Sequence, residues 1–140
     1  MADSDPVQNF IHQLDYSPEE IRRFTQGPHR IRFVRNRSKL PAAAIVEAEV
    51  LQSTRCRCGY VSGDRFFIDL NGGLMLEHCP RRLCIHLVSQ FALPVSLMFE
   101  RISEALNPGE FHFARLVRCS NSGTECVRNG RTLTRLRMVR

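Results

Sequence analysis

The chain has 140 residues, a formal net charge of +6 and a hydrophobic fraction of 43%. This length fits one domain with a buried core, and the composition excludes collagen-like, low-complexity and wholly disordered proteins. No apolar run follows the acidic segment Met1–Asp5, and Pro94 interrupts the most apolar stretch, Cys84–Phe99. We therefore expect a cytoplasmic protein with neither a signal peptide nor a membrane-spanning segment.

The net charge of the first forty residues is negative up to residue 20 and positive after it. Residues 1–20 carry five acidic residues and no Lys or Arg, whereas residues 21–40 carry seven basic residues and no acidic one. Asp5-Pro6 predicts the start of one short helix, and Ser17-Pro18 with Glu20 predicts a capping box for a second. Gly27-Pro28 is expected to end that second helix before a basic arm. We interpret residues 1–41 as a helical and basic extension that docks on a protein partner.

Residues 42–140 predict a separate core domain that contains strands. Val46, Ala48 and Val50 alternate with polar or larger residues, which is typical of a half-buried strand. Residues 65–70 alternate in the same way, and the glycine turn 71–73 predicts a hairpin with residues 74–76. Two more strands are expected at about residues 110–118 and 132–139.

A long helix is predicted between the two pairs of strands. Cys79-Pro80 opens it, Leu83 and Leu87 lie on its apolar face, Pro94 kinks it, and it ends near residue 105. The predicted fold class is therefore α+β, a small antiparallel sheet packed on one long, Pro-kinked central helix, with two short N-terminal helices.

Six cysteines in a reducing compartment favour thiols over disulfides. Cys56 and Cys58 are two residues apart and precede Gly59, a spacing that allows two thiolates to chelate one ion. Cys119 and Cys126 flank the last loop. If the two loops lie at the same end of the sheet, these four cysteines form a candidate zinc or iron site. The alternative is that they are unligated loop or core residues.

Cys79 is the candidate catalytic residue. At the start of a helix, followed by Pro80, Arg81 and Arg82, its thiolate would be stabilised by the helix dipole and two guanidinium groups. It is therefore a candidate nucleophile or redox thiol, and with His78 a further candidate metal ligand. The simpler alternative is a cysteine that only caps the helix. Cys84 is expected in the core.

The positive charge makes nucleic acid a candidate partner. Arg135 and Arg137 share one face of the last predicted strand, where they could contact phosphates. The sequence has no recognised DNA- or RNA-binding motif, so we favour a solvated face or one that docks on an acidic protein.

From about Ala48 onward, the chain resembles a family of small conserved bacterial and archaeal proteins. The family is about ninety residues long, a size that suits one small domain. The resemblance covers about two-thirds of the chain and follows the order Cys58-Gly59-Tyr60, Gly63-Asp64-Arg65-Phe66, Gly72-Gly73-Leu74, Cys79-Pro80, Leu83-Cys84, Pro94, Cys119 and Gly123–Cys126. It implies no particular activity, but it directs attention to Cys58, Cys79 and Cys119.

Three classes of function follow from the sequence. The leading hypothesis is a metal-binding accessory module that uses its cysteines. The alternatives are an enzyme or redox protein that uses Cys79, and an interaction protein that acts through its basic face.

Overall fold

The computed structural model describes residues 5–120 and 131–139. These residues form an α+β fold, as the sequence predicts. Its elements in chain order are α1 (Pro6–Gln13), α2 (Pro18–Gln26), α3 (Pro28–Arg37), β1 (Ile45–Thr54), β2 (Arg65–Ile68), α4 (Ile85–Val88), α5 (Ala92–Ser103), β3 (Leu116–Arg118) and β4 (Arg131–Val139).

The four strands form one antiparallel sheet in the order β2-β1-β4-β3. Alternation along β1 buries Val46, Ala48 and Val50 completely, which confirms the predicted half-buried strand. Phe66 of β2 lies opposite Ala48, and Leu136 of β4 lies opposite it on the other side. These side chains form the sheet's contribution to the core.

Helices cover this apolar face of the sheet. Leu87 of α4 and Val95 and Met98 of α5 join the cluster that contains the buried strand residues. A second, smaller cluster lies among the first three helices and contains Val7, Ile11, Phe24 and Val34. α3 packs on α5, and α1 and α2 pack on α3. The main cluster takes no buried residue from the first three helices.

The predicted caps of the first two helices are present. The Asp5 carboxylate accepts a hydrogen bond from the N–H of Val7 at 3.1 Å. Ser17 and Glu20 form a reciprocal capping box at the start of α2. Each cap satisfies backbone N–H groups that a first helical turn leaves without partners.

The predicted basic arm is wrong, because residues 28–37 form the third helix, α3. Gly27 ends α2 and also serves as the N-cap of α3, with Pro28 at its first position. Proline is favoured at that position because its missing N–H would have no helical partner. Arginine is a good helix former, so the run of arginines continues the helix.

The central helix begins later than predicted. Leu76–His78 form one 3₁₀ turn, Pro80–Cys84 lie outside any helix, and the helical stretch starts at Ile85. A 3₁₀ turn, Ser89–Phe91, separates α4 from α5. Pro94 lacks the N–H that would bond to the carbonyl of Gln90, and its ring crowds that carbonyl, which explains the irregularity just before it.

The predicted last strand is present as β4, Arg131–Val139, whereas the other predicted strands are shorter in the structure. Of residues 74–76, Leu74 forms a single bridge to Ile68 of β2. The Asp69 carboxylate accepts hydrogen bonds from the N–H groups of Asn71 and Gly73 within the turn. β3 covers only Leu116–Arg118. Within residues 5–120 and 131–139, no helix has the length and apolar composition that crossing a bilayer requires.

Candidate metal centre

Four cysteines line one small cavity at an end of the sheet. The cavity has a volume of about 20 Å³, and the cysteines around it are Cys56, Cys58, Cys84 and Cys119. His86 and Thr132 lie in the same lining. All four cysteines are free and partly buried. The structure thus brings together three of the predicted ligands and adds Cys84.

Cys56 and Cys58 lie in a tight turn directly after β1. The N–H of Gly59 bonds to the carbonyl of Cys56 at 3.0 Å, and Gly59 has a φ of 77°. Glycine adopts this left-handed conformation without the steric cost of a side chain. The turn therefore needs the glycine that follows the Cys-Arg-Cys segment, as the sequence predicted.

The turn surrounds the Cys56 sulfur with hydrogen-bond donors. Burial raises the pKa of Cys56, but hydrogen bonds from the backbone N–H groups of Tyr60, Cys58 and Gly59 and from the hydroxyl of Thr132 lower it. The net effect is a pKa below the ordinary value, because the donors stabilise the thiolate more than burial disfavours it. The hydrogen bonds therefore stabilise a negative charge on the Cys56 sulfur.

The environment of Cys58, unlike that of Cys56, disfavours its thiolate. Burial, the nearby thiols of Cys84 and Cys56, and a hydrogen bond with Cys84 raise the pKa of Cys58 to about 11, against the lowering effect of Arg82. Crowded thiols resist ionising together because the resulting negative charges repel one another. A cation among them would reverse that effect.

Tyr60 joins the Cys56–Cys58 turn to the segment that carries Cys84. Its side chain is buried, and its hydroxyl donates to the carbonyl of Arg82 at 2.6 Å and accepts from the N–H of Cys84 at 2.8 Å. Cys84 is the N-cap residue of α4. Cys84 thus lies before the helix and not on its apolar face, because the helix starts five residues later than the sequence predicts.

Cys119 approaches the cavity from the end of β3. Its N–H donates to the carbonyl of Thr132 on β4 at 3.1 Å. The next residue, Ser120, donates its N–H to the carbonyl of His86 at 3.3 Å, and its hydroxyl lies 3.2 Å from Nδ1 of His86. These bonds hold the end of the sheet against α4. The predicted ligand Cys126 lies outside the described residues.

Cys79 and His78 do not line this cavity. Cys79 follows the 3₁₀ turn, and the predicted helix N-terminus at Cys79 is wrong because residues 80–84 after it are not helical. Its sulfur accepts from the N–H of Phe67 at 3.4 Å and lies 3.7 Å from the Phe67 carbonyl, to which it donates. The ring of His78 meets that of Phe67 edge-on at 6.4 Å. A residue before proline avoids the helical conformation, which accounts for the extended Cys79.

The candidate phosphate-contacting arginines are paired with glutamates on the open face of the sheet. Arg137 donates twice to the Glu47 carboxylate, at 3.2 and 3.0 Å, and Arg135 donates to Glu49 at 3.5 Å. Glu47 is only 4% exposed although it points away from the main core. Alternation alone could not predict this burial, since it depends on arginines from β4 that cover the carboxylate.

Among the described residues, no group of three or more His, Cys, Asp or Glu side chains is arranged to hold a metal ion. The cysteines that line the cavity therefore supply ligands of the right chemistry, but their sulfurs are not in a coordinating arrangement.

No protein-family model, curated protein or solved structure matches the chain. The resemblance through Cys58, Cys79 and Cys119 thus stays a prediction.

Proposed function

We propose that the protein is a small metal-binding accessory module that holds one zinc or iron ion with Cys56, Cys58, Cys84 and Cys119. The observation that carries the proposal is the convergence of these cysteines on one cavity from three separate segments of the chain. Four thiolates around one ion are the usual ligand set of structural zinc sites and also suit iron.

The size of the cavity supports an ion over an organic substrate. Its volume is about 20 Å³, whereas small-molecule sites usually measure about 300–1,000 Å³. A cavity slightly larger than about 10–15 Å³ holds one water-sized body. The space between the cysteines therefore suits a single ion and excludes a substrate at the same position.

The electrostatics of the cysteines also favour a cation. Cys56 receives hydrogen bonds that stabilise its thiolate, and Cys58 is opposed by its neighbours Cys84 and Cys56. A divalent cation removes that repulsion and deprotonates the thiols that bind it. Metal binding would thus relieve the repulsion that raises the pKa of Cys58.

Binding requires the thiols to turn toward the cavity, since their present arrangement does not coordinate an ion. A cysteine side chain has one rotatable bond before its sulfur, and staggered rotamers of that bond place the sulfur in different directions. The backbone segments are already held by Tyr60 and by the bonds of Cys119 and Ser120. Metal binding therefore needs changes in side chains on segments that are already in place.

The experiment that tests this function compares melting temperatures with and without a chelator. Thiolate metal sites contribute on the order of 10 kcal/mol to folding, so we expect chelation to lower the melting temperature of the wild-type protein and Cys58→Ser to do the same. Cys79→Ser is the matched control, since its thiol lies outside the cavity lining. A wild-type protein that carries no metal and keeps its melting temperature in chelator would overturn the proposal.

The accessory role is proposed for the first three helices. Arg22 and Arg35 are exposed on α2 and α3, and such a surface attracts an acidic protein partner. We place the protein in the cytoplasm within this proposal, because a reducing compartment keeps its cysteines available as ligands.

A further inference from the structure

A larger cavity lies between the first three helices and α5. Its volume is about 450 Å³, which falls within the usual range for small-molecule sites. Aromatic rings dominate its lining, and they belong to Phe10, Tyr16, Phe24, Phe33 and Phe99. Rings from the two sides contact each other, since the ring centroids of Phe33 on α3 and Phe99 on α5 are 5.4 Å apart. Phe24 is buried among the other rings, and the half-buried rings of Phe10, Tyr16, Phe33 and Phe99 are those that a ligand could contact.

Two oppositely charged side chains line the same cavity. Arg30 of α3 and Glu100 of α5 are both exposed, and within the described residues neither has a hydrogen bond or an ion pair to its side chain. Nearby, Arg32 of α3 forms an ion pair at 3.0 Å with Glu104, the C-cap residue of α5. Arg30 and Glu100 thus remain separate on the lining of a cavity. The other polar residues there are His29, Ser96 and Ser103.

These features select one chemical class of ligand. A hydrocarbon would cover the rings but would make no contact that uses the two charged groups. An anion would meet Glu100, and a cation would meet Arg30. A neutral planar heterocycle with hydrogen-bond donors on one edge and acceptors on another satisfies the rings, the carboxylate and the guanidinium together.

We propose that this cavity binds the base of a purine nucleoside, with guanine as the preferred base. Guanine presents O6 and N7 as acceptors for Arg30, the same atoms that arginine contacts in DNA. Its N1–H and N2 amino groups are adjacent donors for the two oxygens of Glu100. The aromatic rings stack on the base, as they do in proteins that bind single-stranded nucleic acids. The site is independent of the cysteine cavity.

The test is a calorimetric titration of the full chain with guanosine, with inosine as the matched ligand because it lacks only the N2 amino group. We expect guanosine to bind with a dissociation constant below about 1 mM and inosine to bind about tenfold more weakly. Glu100→Gln should weaken guanosine binding about ten- to a hundredfold. Glu104→Gln should leave it unchanged, because that carboxylate pairs with Arg32 and lies outside the cavity lining.

Each contrary result overturns the proposal. No binding of guanosine at about 1 mM would show that the cavity has no affinity for the base. Equal binding of guanosine and inosine would show that Glu100 does not bind the N2 amino group. Equal binding of guanosine by wild type and Glu100→Gln would show that the Glu100 carboxylate does not contact the base. Since Glu100 is exposed, its substitution does not threaten folding, and circular dichroism of both variants checks this directly.

Discussion

The hydroxyl of Tyr60 accepts a hydrogen bond from the N–H of Cys84 at 2.8 Å and donates one to the carbonyl of Arg82 at 2.6 Å. This side chain comes from the loop after β1, whereas both of its partners precede α4. One buried phenol therefore sets the separation between the Cys56–Cys58 turn and Cys84. The cysteine cavity depends on this link as much as on the cysteines themselves.

Tyr60→Phe should destabilise the protein by about 1–3 kcal/mol, since it keeps the ring but leaves a partly buried N–H and carbonyl without partners. Urea denaturation measures this free energy of unfolding. Tyr16→Phe is the matched control, because within the described residues the Tyr16 hydroxyl has no hydrogen-bond partner. Its effect should stay within about 0.5 kcal/mol. Similar values for the two variants would mean that Tyr60 contributes only its ring.

Glu47→Gln should also destabilise the protein, because the variant loses the charge that pairs with Arg137 and, at 3.9 Å, with Arg65. Hydrogen bonds to charged groups contribute about 1.5–3 kcal/mol when buried. Both arginines are about half exposed, so we expect the lower part of that range after solvent screening. Glu104→Gln, which breaks an exposed pair with Arg32, should cost less than about 1 kcal/mol. If Glu47→Gln and Glu104→Gln lowered the free energy of unfolding equally, burial of Glu47 would not strengthen its ion pairs.

Alkylation of the metal-free protein should distinguish Cys56 from Cys58 by pH. The thiolate is the reactive form. The pKa of Cys56 is lowered, so its thiolate forms at a lower pH than that of an ordinary cysteine. The pKa of Cys58 is raised to about 11, so its thiol stays protonated near neutrality. Iodoacetamide labelling mapped by mass spectrometry should therefore modify Cys56 at a lower pH than Cys58. Labelling of Cys58 first would contradict the hydrogen-bond environment described for Cys56.

Deletion of residues 1–40 should leave the remaining chain folded but less stable. The main core cluster takes no buried residue from the first three helices, so the sheet and α5 keep their own interior. The deletion uncovers Phe99, which packs against Phe33, and removes the bond from Asn36 to the Ser103 carbonyl at 3.0 Å. Dispersed amide signals in an NMR spectrum and a lower melting temperature are the expected result. An unfolded truncated chain would show that the first three helices belong to the core.

Local patterns were sufficient to predict the fold class, the caps of α1 and α2, and the buried face of β1. Each of these depends on residues close together in the chain, such as Ser17 with Glu20. The start of the central helix was not predictable in this way. The segment before α4 is bonded to the hydroxyl of Tyr60, which accepts from the N–H of Cys84, 24 residues away in the chain.

The candidate site was predictable only in part for the same reason. Gly59 after Cys56 and Cys58 indicated a tight turn, and the structure shows that turn, while the ligand role of the two cysteines stays a prediction. Cys84 joins the cavity because the helix begins after it, and Thr132 joins because β4 pairs with both β1 and β3. The positions of Cys84 and Thr132 depend on tertiary contacts, which the periodicity of a single segment does not predict.

The most direct test of the metal proposal is the metal content of protein purified without oxygen, measured by elemental analysis for wild type, Cys84→Ser and Cys79→Ser. We predict close to one zinc or iron ion per chain for wild type and for Cys79→Ser, and a large loss of metal for Cys84→Ser, because only Cys84 of these two lines the cavity. Wild-type protein without metal would contradict the account. So would a loss of metal in Cys79→Ser together with full metal content in Cys84→Ser.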